Sequence, residues 1–132
     1  MNYLTLYEAA DLLAGLLGFD EVTVGSIDTA LTQTIGVYQR EPFVPRECIG
    51  VESSYEVTKL RILIHWSNNP TAAEQKAAEI AELIRNFRNL ETSEHLVIFT
   101  DIKAIRSIGK DKKGICEYVV DTDITYSERN DN

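Results

Sequence analysis

Cysteine and histidine are scarce in this chain, with two of each in 132 residues. Cys48 and Cys116 lie far apart, and neither is near His65 or His95 in sequence. That spacing excludes a zinc module of the usual kind and any disulfide framework, so both thiols are read as reduced and structural. No apolar run approaches the roughly 18 to 20 residues that cross a bilayer. Without a basic leader or a small-residue cleavage site, the expectation is a protein made in the cytoplasm. Positive charge is missing where it is easiest to notice: the first 39 residues hold five acids, Glu8, Asp11, Asp20, Glu21 and Asp28, and not one Lys or Arg. The whole chain carries a net charge of −8 with a pI near 4.7. This balance argues against sequence-independent DNA binding, whose affinity comes from Lys and Arg neutralising phosphates.

What is present is enough for one core. A chain of this length buries roughly two thirds of its unfolded surface, and 44% of its residues are hydrophobic. The expected domain is a single one over residues 1–128, with 129–132 as a frayed polar tail. Thr5 followed by Glu8 forms the pattern of a reciprocal capping box. Leu6, Ala9, Ala10, Leu13, Leu16 and Leu17 then recur at helical spacing, and Gly18 is a natural stop. Residues 19–33 carry no firm signal beyond a possible short strand over 21–25. TIGVYQR (34–40) reads as a strand ended by Pro42 and Pro45. The loop after it, EPFVPRECIGVESS, holds Phe43, Val44, Ile49 and Val51, more apolar material than a solvated loop usually carries.

Residues 55–66 give the clearest strand, with Leu60, Ile62, Ile64 and Trp66 on one face and Lys59, Arg61, Leu63 and His65 on the other. SNNP breaks it. Thr71 and Glu74 read as a second capping box, opening a helix to about Asn89. Its stripe of Ala73, Ala77, Ile80, Ala81, Ile84 and Phe87 is rich in small residues, which implies close approach to a sheet. LVIFTDIKAIRSIG follows as one or two strands, GKDKKG as an exposed turn, and ICEYVVDTDITY as a last strand. This order predicts an α+β two-layer sandwich: a mainly antiparallel sheet of four to five strands with two helices on one face.

Several residues invite a chemical reading. Asp101 and Lys103, with Glu82 or Glu91, are the best candidates for a magnesium-dependent nuclease, because hard cations want several carboxylate oxygens. An Asp-x-Lys triplet is also common by chance, since side chains two apart on a strand share a face. Glu117, Asp121 and Asp123 make an acidic stripe on the last strand, either a solvated face or a wall. His65, beside Trp66, reads as a packed or hydrogen-bonded residue, and Ser53, Ser54 and Ser67 have no neighbouring His and Asp to form a triad. Lys110, Lys112 and Lys113 form the basic cluster, too small for a nucleic-acid site.

The strand TIGVYQREP, the unit YEVTKLRILIHWSNNPTAAEQKAAEIAELI, the hairpin DIKAIRSIGKDKKGICEYVVDTDITY and an end just after a tyrosine-containing strand together resemble the minor capsid proteins of phages of Gram-positive bacteria. That group is similar in fold to the tail terminators of long-tailed phages, and the resemblance spans residues 3–128. It implies a structural virion protein at the head-proximal end of the tail or at the head–tail joint: a ring, usually of six copies, meeting the major tail protein and head completion proteins. On that reading there is no cofactor, no metal, no catalytic residue, and no membrane or specific nucleic-acid partner. DNA passes through the lumen, with Glu117, Asp121 and Asp123 as its wall. In such a ring the 42–54 loop is a subunit clasp, unless it folds back on its own core, and the turn with Lys110, Lys112 and Lys113 meets the Glu8, Asp11, Asp20 and Glu21 group of a neighbouring copy. A phage nuclease and a small acidic binding module, such as a DNA mimic, stay open as alternatives.

Overall fold

The computed structural model describes residues 3–43 and 55–129. Helix α1 (Leu6–Leu17) starts where Thr5 accepts a hydrogen bond from the Glu8 amide at 3.1 Å and ends at Gly18, whose φ of 64° closes the last turn. Only half of the expected capping box forms. The Glu8 carboxylate turns inward to His95 and Thr92 instead of back to its own helix start.

Among the described residues, six strands follow the order β1-β2-β3-β6-β5-β4 in one sheet. They are β1 (Val22–Val24), β2 (Thr34–Gln39), β3 (Glu56–Ser67), β4 (Arg88–Glu91), β5 (His95–Lys110) and β6 (Cys116–Glu128), with helix α2 (Pro70–Arg85) between β3 and β4. The sheet is mixed and larger than expected, because β1 pairs in parallel with β2 while every other pairing is antiparallel. The added members are short ones at the two ends. β4 occupies residues assigned in sequence to the end of the second helix. Phe87 fits the helical stripe but is buried from the turn after the helix, and Asn89 takes a φ of 53°, a left-handed conformation that Asn tolerates.

The α2 start also differs from the sequence reading. Asn69, not Thr71, is the cap: its side chain accepts from the Thr71 amide at 3.0 Å, and Pro70 takes the first helical position, where its missing N–H costs nothing. Ala73, Ala77 and Ala81 are buried as their size foretold, and they let α2 lie close on β3, β5 and β6.

Strand alternation then divides the molecule. Ile35 and Val37 of β2, Leu60, Ile62 and Ile64 of β3, Val97 of β5 and Val120, Ile124 and Tyr126 of β6 join the helix residues Leu13, Ile80 and Ile84 in one core cluster. Both helices cover that face. Cys116 is buried with a free thiol, while Cys48, Val44, Ile49, Val51, Ser53 and Ser54 lie outside the described residues. Among the described residues, no helix is long and apolar enough to cross a membrane.

The two cap assignments for α2 are separable. Asn69→Ala should lower stability by about 1 kcal/mol, the usual worth of such a cap, whereas Thr71→Ala should lower it by much less. Urea unfolding of the two variants checks this; a larger loss for Thr71→Ala would restore the other assignment.

Candidate functional site

The sheet face turned away from the helices carries charge in matched pairs. Register sets Lys59 opposite Asp123 and Arg61 opposite Asp121 across the β3–β6 seam. Arg61 reaches Asp121 through two bonds, Nε to Oδ1 at 2.8 Å and Nη2 to Oδ2 at 3.1 Å, the fork geometry that suits a carboxylate. Arg106, arriving from β5, adds a contact to the same carboxylate at 3.8 Å. Arg40, just past β2, bonds Asp123, while Lys59 pairs with Glu41 at 3.0 Å and Lys103 with Asp101 at 2.8 Å.

The consequences fall on the acidic stripe. Asp121 is only 5% exposed. The Arg61 hydrogen bonds, then the charges of Arg61, Arg106 and Arg40, hold its carboxyl below the usual range against a burial that would raise it. Of the three residues expected to make an acidic wall, Asp121 and Asp123 are thus held by arginines. Glu117 lies near Tyr38, whose phenol is pushed up by burial and, less, by that carboxylate. This face is a near-neutral lattice of ion pairs. The sequence showed Lys59 and Arg61 on one strand and Asp121 and Asp123 on another, but not that the two strands adjoin.

The basic turn is also tied down. Asp111 accepts from the amides of Lys113 and Ile115, and its Oδ2 lies 2.7 Å from His65 Nε2. His65 and these amides hold the Asp111 carboxyl low. His65 Nδ1 lies 2.8 Å from the Thr32 carbonyl, so both ring nitrogens are within hydrogen-bond reach of an oxygen. Lys113 donates to the Thr29 carbonyl at 3.3 Å. The turn is fastened to the loop before β2, as the hydrogen-bonded reading of His65 anticipated.

The interface residues expected from sequence are therefore dispersed. Glu8 is not part of an outer acidic patch: its carboxylate sits 2.7 Å from Nδ1 of the fully buried His95, against whose ring Tyr126 stands edge-on. Asp11, Asp20 and Glu21 are exposed at the β1 end of the sheet, and Lys110 and Lys112 are exposed at the β5 end. Phe43 stacks on Tyr3 of its own chain with ring centroids 4.5 Å apart.

The nuclease candidates do not converge. Asp101 and Lys103 are bound to each other, Glu82 pairs with Arg85, and Glu91 pairs with Arg129. Glu91 sits opposite Leu96, five residues back along β5 from Asp101, which is roughly 16 Å at the rise of a strand. Among the described residues, Glu8, Glu94 and His95 are the cluster with metal-ligand spacing. His95 there already spends Nδ1 on Glu8.

A family model described as "Bacteriophage tail terminator protein" matches residues 8–128. No curated protein matches the sequence. Among solved structures, a chain from the "Virion of native gene transfer agent (GTA) particle" is similar in fold, with a TM-score of 0.57 at 12% identity, covering 89% of this chain and 85% of that one. A second solved chain, at 14% identity over 96% of this chain and 91% of its own, has a TM-score of 0.42, too low to bear on the fold.

The Arg61–Asp121 pair makes a signed prediction. Because the folded carboxyl titrates below its unfolded value, its contribution is complete above about pH 4 and fades as pH falls through the lower, folded value. Arg61→Ala should cost about 1–3 kcal/mol at pH 7, the penalty for a buried carboxylate stripped of its main donor, and progressively less below pH 4. Denaturation midpoints at both pH values measure this; an equal loss at both would mean that Arg61 acts through packing alone.

Proposed function

Because the chain belongs to the bacteriophage tail terminator family, a family of structural virion proteins, we propose that its copies close into a ring on the head-proximal end of the tail. Six copies are the number that the resemblance implies for such a ring. The ring's lower side meets the major tail protein and its upper side meets head completion proteins. The protein thus resides in the virion, with DNA crossing the ring's centre, and it acts through surfaces and not through catalysis.

The observation that carries this reading is the inequality of the two ends of the sheet. A ring needs two different, mutually fitting patches per subunit. The β1 end carries four exposed acids, Asp11, Asp20, Glu21 and Asp28, in a 39-residue segment without Lys or Arg, whereas the β5 edge, Thr100–Lys110, holds three bases against one acid. Opposite signs at opposite ends of one sheet favour head-to-tail contact between copies.

The helix-free face is assigned to the channel. The pairing of Asp121 and Asp123 with arginines makes it a balanced wall and not the acidic one that the sequence suggests. Arg40, Arg61, Arg106, Lys59 and Lys103 each have a carboxylate partner. Phosphates passing such a lattice meet cations that are already engaged, so little affinity is gained by contact.

The assignment is tested with isolated tail tubes. Incubated with a gold-labelled chain, they should carry label at one end only in electron micrographs. Label along the tube's length, or none at saturating protein, would refute a terminator role for this chain.

A further inference from the structure

The outer edge of β5 changes character halfway along. β4 pairs only with its first part, Arg88 to Phe99, Leu90 to Val97 and Glu91 to Leu96. From Thr100 to Lys110 no described strand lies on that side, although β6 holds the inner side as far as Lys110. Residues 105–110 are all exposed, with Ile105 at 46% and Ile108 at 51%. An edge of this length presents unpaired backbone donors and acceptors to any strand that reaches it.

We propose that this edge, Thr100–Lys110, is where one copy of the chain adds to the sheet of the next, and that it meets the neighbour's β1 end. The inference rests on the ring reading above and names the surface that makes the ring.

Charge selects the occupant. Lys103 is paired with Asp101 and Arg106 contacts Asp121, which leaves Lys110 as the edge cation without a carboxylate among the described residues; two copies joined β5 to β5 would bring that charge to its own duplicate, and like charges across a strand pair destabilise it. The β1 end offers the complement. β1 is paired on one side only, to β2, and Asp20 and Glu21 precede it, Asp28 follows it and Asp11 lies on the helix packed against it, all four exposed. Such a contact is heterologous, so it propagates from copy to copy until the ring closes.

The guards on the edge fit the same role. Lysines and bulges are how native edges repel stray strands, and this one has Lys103 and Lys110 with register shifts between Ile102 and Ala104 and between Ser107 and Gly109. Lys110 favours an acidic strand over a basic one, while Ile105 and Ile108 supply apolar area for the seated pair.

The purified full chain is concentrated at low salt, and its mass distribution is followed by sedimentation together with amide hydrogen exchange. The expected result is a concentration-dependent assembly in which amides of residues 100–110 and 20–25 exchange at least about tenfold more slowly than in the dilute chain. Lys110→Glu with Lys112→Glu should abolish assembly, as should Asp20→Lys with Glu21→Lys, and an equimolar mixture of the two variants should restore it. Assembly that leaves residues 100–110 unprotected overturns the edge while the ring stands. A chain monomeric at every concentration overturns edge pairing between free copies, and the tail-tube labelling decides the terminator role separately.

Discussion

The antiparallel seam between β3 and β6 runs from Glu56 opposite Tyr126 to Ser67 opposite Cys116, and its register decides both faces of the molecule together. Because side chains alternate, the pairing that puts Leu60 beside Thr122 and Ile62 beside Val120 under the helices also puts Arg61 beside Asp121 and Lys59 beside Asp123 on the other side. A slip by one residue would drive aspartate into the apolar layer and expose isoleucine. The core and the ion-pair lattice are thus two readings of one alignment, each of which penalises the slipped alternative. That mutual support is what gives a fold a single answer.

Much of this is legible in the sequence, and what is hidden has a common cause. Residues 60–66 alternate so cleanly that their strand and its inner face follow from period alone, and Thr5 and Gly18 bracket α1 through local backbone chemistry. Alanine at 73, 77 and 81 foretold a close helix–sheet contact. Local signals misled where two patterns overlapped. Asn69 and Thr71 both suit a cap, and only Pro70, fixed at the first helical position, separates them. Phe87 continues the helical stripe, so nothing in the chain marks the turn into β4.

The functional surfaces were legible only as inventories. The acids of the first 39 residues and the bases near 110 were counted correctly, but their places depend on strand order, which one sequence does not state. Glu8 was counted as a surface charge, yet it closes a buried contact with His95 that joins the first helix to the start of β5. Asp121 was counted as free and is among the best-paired carboxylates in the protein. A net charge describes a chain, whereas recognition depends on which charges are left over after the fold has used the rest. Here the sheet face is nearly balanced, and exposed charge of one sign is left at the β1 end.

The bulges of β5 have a geometric consequence of their own. β5 spends 16 residues alongside the 13 of β6, and the three surplus residues sit at the three register shifts. At the rise of a strand that is about 10 Å of extra contour on one side of the hairpin. Two tapes of unequal length fastened edge to edge cannot lie flat; they bow, as a bimetallic strip does when one metal outgrows the other. Curvature is then written in residue number and not in side-chain chemistry. Gain or loss of one surplus residue would alter the radius that the hairpin describes while leaving the β3–β6 seam beside it in register.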